Sequence, residues 1–124
     1  MYERKIEKDY NCGVLVTSDI VNGKWKPCLI NLIHSGLQRP SELQRALPDA
    51  SRRSLNMQLN ELEGHGVITK TIFPVLPPKV EYSLTEIGES LLPITLAMEE
   101  WGQKYYKNNC KLIHKEKLNC KKNK

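Results

Sequence analysis

Apolar positions along the middle of the chain fall at helical intervals. Leu55, Leu59 and Leu62 are four and three residues apart, so they stack on one buried stripe. Ser51 sits where an N-cap belongs, and Gly64 and Gly66 are read as the positive-φ positions that stop this helix. Its other side carries Arg53, Asn56, Met57 and Asn60, with Arg52 at the border. Upstream, Val14–Asn22 predicts a first short helix ended by Gly23. A second helix is expected over Lys26–Ser35, with Pro27 in the first turn, where a missing N–H is harmless, and Gly36 beyond its end. Cys28, Leu29, Leu32 and Ile33 give it a broad apolar face and put Cys28 in the core. Ser41–Leu47, bracketed by Pro40 and Pro48, predicts a third helix. With the brief turn Pro48–Ala50 and the helix after Ser51 it forms a helix-turn-helix.

The periodicity then changes. Val67–Ile72 is rich in β-branched residues, and Val80, Tyr82 and Leu84 alternate with Glu81 and Ser83, as in a half-buried strand. Between them Phe73–Pro78 holds three prolines, which lower the entropy such a loop loses on docking and suit a protruding wing. Thr85 is placed to cap a long last helix. Along it Ile87, Leu91, Ile94, Met98, Trp101 and Tyr105 recur at alternating four- and three-residue intervals, the seam of a helix that pairs with another. Pro93 predicts a kink, and Leu92 and Leu96, on a second face, are expected to hold this helix to its own domain. The fold class is therefore α+β, mainly helical: a winged helix-turn-helix with a two-stranded wing.

Charge matters once it is placed. Of the net +5, Lys107–Lys124 supplies seven lysines against one glutamate, so the remainder is slightly acidic. Within Arg39–Lys79 six basic residues face four acidic ones, whereas Thr85–Tyr106 has four glutamates and one lysine. That polarity fits one end turned toward phosphate and the other toward a partner. With 124 residues one domain is expected over residues 1–106, its DNA-binding core about 24–84 and a dimerisation helix about 85–106, followed by a basic tail over 107–124. No apolar run approaches the ~20 residues of a membrane span and no secretory leader opens the chain, so a soluble cytoplasmic protein with reduced thiols is expected.

The chemistry these positions offer is recognition rather than catalysis. Arg52, Arg53, Asn56 and Asn60 can reach phosphates and pair with guanine or adenine edges, although such a face elsewhere is simply solvated. Met57 can press on a thymine methyl or merely pack. Arg39, Ser51, Lys70 and Lys79 complete the candidate DNA contacts, with Lys70 and Lys79 flanking the wing. Cys110, His114 and Cys120 match no familiar zinc spacing, and no metal or cofactor is expected. His34, His65 and His114 have no nucleophile or carboxylate arrangement around them, and no glycine-rich phosphate loop occurs, which argues against an enzyme.

These elements, in this order, resemble the HxlR-type transcriptional regulators, a winged helix branch related to the MarR type. The resemblance is carried by Cys12, Gly23-Lys24-Trp25-Lys26, Ser41-Glu42-Leu43, Leu47-Pro48, Glu61-Leu62-Glu63, Gly66-Val67-Ile68 and Pro77-Pro78-Lys79-Val80-Glu81-Tyr82-Ser83-Leu84-Thr85, with Gly88, Leu92-Pro93 and Trp101. It covers roughly residues 12–105. It implies a homodimer on a pseudo-palindromic double-stranded operator, with half-sites roughly 10 bp, about 34 Å, apart. It also implies that the last helix and N-terminal residues form N- and C-terminal dimerisation elements. At the position of Cys12, a cysteine senses oxidants or electrophiles in several members, and Arg4, Lys5 and Lys8 precede it here. Two departures stand out: Gly13 replaces a proline common after that cysteine, and Pro40 replaces an aromatic common after Arg39. The expected function is a dimeric sequence-specific regulator, a repressor by promoter occupation. Its competitors are a winged helix used only for protein interaction, and a regulator answering to an apolar small molecule without thiol chemistry.

Overall fold

In the computed structural model, which describes residues 12–113 with side chains to 109, five helices and one antiparallel hairpin follow in the order α1 (Gly13–Val21), α2 (Lys26–Ser35), α3 (Pro40–Ala46), α4 (Arg52–Gly64), β1 (Ile68–Phe73), β2 (Lys79–Leu84) and α5 (Glu86–Ile113). Several boundaries have a local cause. Pro27 lies in the first turn of α2, and Gly36 ends it at φ 113, where the N–H groups of Gly36 and Leu37 serve the carbonyls of Ile33 and Leu32. Pro40 opens α3, and the Glu42 carboxylate accepts from the backbone N–H groups of Gln38 and Arg39 at 3.1 and 3.2 Å. The substitution of proline for an aromatic at position 40 thus yields a well-formed helix start. Ser51 caps α4 by accepting from the Ser54 N–H at 3.0 Å.

Gly64 is the last helical residue of α4, and of the two glycines that follow Leu62 only Gly66 takes a positive φ, 78°. One left-handed residue suffices, because the Val67 N–H then closes on the Leu62 carbonyl and the chain leaves as β1. The hairpin pairs Ile68 with Leu84 through to Phe73 with Lys79. The Tyr82 N–H also donates to the Gln38 carbonyl at 2.8 Å, which ties the wing to the segment before α3.

The core gathers Leu29, Ile30 and Ile33 of α2, Leu43 of α3, Leu55, Leu59 and Leu62 of α4, Val67 and Ile68, Tyr82, and Leu92 of α5. Each fully buried leucine contributes about 1.5–3 kcal/mol, so the stripe on α4 fixes which way its polar side faces. Cys28 is only half-buried, at the edge of this core rather than inside it. Burial, then the negative charge of Glu99, raise its thiol pKa.

Helix α5 departs from expectation in the residue that anchors it. Leu96 is 44% exposed, and the residue that locks α5 to α2 beside Leu92 is the fully buried Thr95. Its hydroxyl donates to Asn31 Oδ1 at 2.8 Å, and Asn31 Nδ2 donates to the Thr95 carbonyl at 3.1 Å. Helical φ/ψ continues through Pro93, and the one non-helical φ/ψ within α5 is at Asn109. Pro93 and Glu89, whose carbonyl loses its usual donor, both lie on the exposed side, where water can serve that carbonyl. Thr85 caps the helix, accepting from the Gly88 N–H at 3.1 Å.

Candidate nucleic-acid interface

The leucine stripe of α4 faces inward, and Arg52, Arg53, Asn56, Met57 and Asn60 are all exposed on its outer side. Ser51, grouped with them on sequence grounds, spends its hydroxyl on the N-cap. Two further bonds hold α4 against the start of α2. Gln58 Oε1 accepts from the Trp25 N–H at 2.8 Å, and Lys26 Nζ meets Glu61 Oε1 at 2.6 Å. The lysine is 3% exposed and the glutamate 20%, so this pair is largely withdrawn from water. Gly23 fits the same joint: a Cβ there would press on Gln58 Oε1 and the Lys26 stem. The Gly23–Lys26 motif is therefore a clamp on the helix that displays the arginines.

Between α3, α4 and the hairpin lies a cleft of about 710 Å³. Arg45, Arg52 and Lys70 line it together with Gln44, Asn56, Asn60 and Tyr82, and no carboxylate does. Burial, then the charge of Glu63, raise the Tyr82 pKa, which keeps its phenol protonated. A concave surface with three cations and several amide groups attracts a polyanion and can hydrogen-bond base edges. Of the residues predicted from sequence, Arg52, Asn56, Asn60 and Lys70 come together here. Arg53 and Met57 lie exposed on the same helix but outside the cleft lining, Met57 as a half-exposed side chain.

Arg39 and Lys79 sit elsewhere. Both reach Glu81, each at 3.9 Å, and Lys79 Nζ lies 5.0 Å from the Phe73 ring centroid. Arg45 and Gln44, which line the same cleft, are not among the positions the sequence pattern singles out. The available signal was the polar side of that helix, Ser41, Gln44 and Arg45, opposite Leu43 and Leu47.

A second surface is apolar. Ile87, Ile94, Met98 and Trp101 of α5 are exposed, Trp101 to 67%, as are Val14 and Leu15 of α1. Leu91 of the same seam instead packs half-buried on the core, and Tyr105 stacks on Trp101 with ring centroids 5.1 Å apart. Cys12 is exposed at the N-cap of α1. Arg4, Lys5 and Lys8, the Cys110 side chain, His114, Cys120 and most of the basic tail lie outside the described residues. Among the described residues no group of three or more His, Cys, Asp or Glu can hold a metal ion, and no helix is long and apolar enough to cross a membrane.

Comparison with known proteins agrees with this geometry. The profile described as HxlR-like helix-turn-helix matches residues 20–110. An uncharacterized HTH-type transcriptional regulator of Bacillus subtilis, YdeP, is 43% identical over 111 residues, covering 85% of this chain and 87% of its own. The solved structure of the redox regulator HypR in its oxidized form has a TM-score of 0.71 at 44% identity, covering 75% of this chain and 96% of that one. Diamide-treated YodB from B. subtilis has a TM-score of 0.63 at 26% identity, covering 78% and 97%. A helix-turn-helix with a cationic cleft and a two-stranded wing, joined to these matches, places the chain: it belongs to the HxlR-like helix-turn-helix family of DNA-binding transcriptional regulators.

Proposed function

We propose that the protein is a homodimeric repressor that binds a pseudo-palindromic operator and regulates by occupying a promoter. The observation that carries this reading is the outer side of α4, Arg52, Arg53, Asn56 and Asn60, beside a cationic cleft without a carboxylate. One α4 from each subunit enters successive major grooves about 34 Å apart. Arg45, Lys70 and Lys79 engage phosphate, and the Arg53–Asn60 side chooses bases. Residues 24–84 act as the DNA-binding core. The exposed apolar side of α5, within residues 85–106, pairs with its copy, helped by Val14 and Leu15 of α1. Such a protein works where the DNA is, in the cytoplasm of a bacterial-type cell.

Cys12 is the proposed oxidant or electrophile sensor. Its exposure at the start of an α1 with unpaired apolar side chains would let modification disturb the dimer. Relatives support it: HypR is described as a redox regulator, and YodB has been solved after diamide treatment.

The test is duplex binding by fluorescence anisotropy across a salt series. Several phosphate contacts per subunit predict a log–log slope of about −4 or steeper. Absent or salt-insensitive binding would favour a winged helix used only as a protein-interaction module.

A further inference from the structure

We propose that the wing tip, Val75 and Leu76, enters the minor groove of the bound duplex as an apolar wedge and opens the base step it meets. The inference rests on the operator-binding reading above and adds a mode of sequence choice to it. Leu76 is 96% exposed, and Ile72 and Val75 are more than half exposed. No charged residue lies between Lys70 and Lys79. Pro74, Pro77 and Pro78 limit the loop, and the Val75 N–H donates to the Phe73 carbonyl at 2.9 Å, so little entropy is lost when the tip docks.

Strand register says what the tip fits. Lys70 pairs with Tyr82 and Ile72 with Val80, on the face where Lys70, Val80 and Tyr82 line the cleft. Phe73 pairs with Lys79 on the opposite face. The wing thus carries Lys70 on one face and, on the other, Lys79 at the tip with Glu81 3.9 Å behind it, and an apolar end between them. A minor groove presents the matching order: a phosphate strand on either side and sugar and base edges at the floor, about 6 Å across. Apolar side chains inserted there part stacked bases, most readily at flexible pyrimidine–purine steps. Each half-site would then include a flanking step chosen by deformability and not by hydrogen bonds.

The experiment uses the full chain and a duplex it selects from a random-sequence pool, with 2-aminopurine replacing adenine at the steps flanking each half-site. The wild type should brighten one such step per half-site on saturation. Leu76→Ser should abolish the brightening and weaken binding about ten-fold, while Leu76→Phe keeps both. A wild-type complex with flat fluorescence at every flanking step overturns the wedge, as does a Leu76→Ser protein that brightens and binds like the wild type. A lower sedimentation mass of DNA-free Leu76→Ser also overturns it, because the tip would then belong to contact between copies. Failure to bind any duplex instead overturns the operator reading itself.

Discussion

Replacing Glu61 with Gln isolates the joint between α2 and α4. The change keeps the shape of the side chain and removes its charge, which leaves the Lys26 ammonium, 3% exposed, without its counter-ion 2.6 Å away. Breaking a buried ion pair from one side costs about 3–5 kcal/mol. Glu61 retains 20% exposure, so some water still reaches this pair, and the lower end, about 3 kcal/mol, is expected. With a urea dependence of about 2 kcal/mol per molar, the unfolding midpoint should fall by about 1.5 M at fixed protomer concentration. The double variant Lys26→Met with Glu61→Leu removes both charges and should recover most of the loss. A midpoint drop below about 0.5 M for Glu61→Gln would refute the claim that this pair is withdrawn from water. Because Gln58 holds the Trp25 N–H one turn away, operator affinity should weaken in the single variant and return in the double one.

Four other perturbations follow from the same structure. Gly88→Ala puts a Cβ into the Val67 carbonyl, so it should destabilise the fold by about 2 kcal/mol in the same denaturation assay. Ile94→Glu with Met98→Glu charges the exposed apolar side of α5 without touching the core, and sedimentation should then report monomer; a persistent dimer would move the interface elsewhere. Wild-type operator binding should fall on diamide treatment and Cys12→Ser should resist it. Cys28, whose pKa is raised and which therefore holds less thiolate at neutral pH, should alkylate more slowly with iodoacetamide than free cysteine does.

Most of the fold could be read from local signals, because its boundaries are made by residues that act locally. Pro27 and Gly36 delimit α2, Ser51 and Gly66 delimit α4, and the leucine stripe orients it. What escaped the sequence depends on distant partners. Lys26 looks like an ordinary polar helix start until Glu61 is brought to it, and Thr95 looks exposed until Asn31 satisfies it across the α2–α5 contact. The sequence pattern points to Leu96 and passes over Thr95, because hydrophobicity alone cannot register that paired hydrogen bonds make a polar side chain cheap to bury. Arg45 entered the candidate interface only once α3, α4 and the hairpin enclosed a common cleft.

In the proposed complex the outer side of α4 reads the major groove. Dimethyl sulfate interference on the selected duplex tests it most directly, since methylation of guanine N7 blocks that groove alone. The wild type should lose binding on methylation at positions in two half-sites about one helical turn apart, and Arg53→Ala should lose part of that dependence. Undiminished binding to N7-methylated duplex, or an Arg53→Ala, Asn60→Ala protein that selects the same sequence with the same affinity, would contradict it.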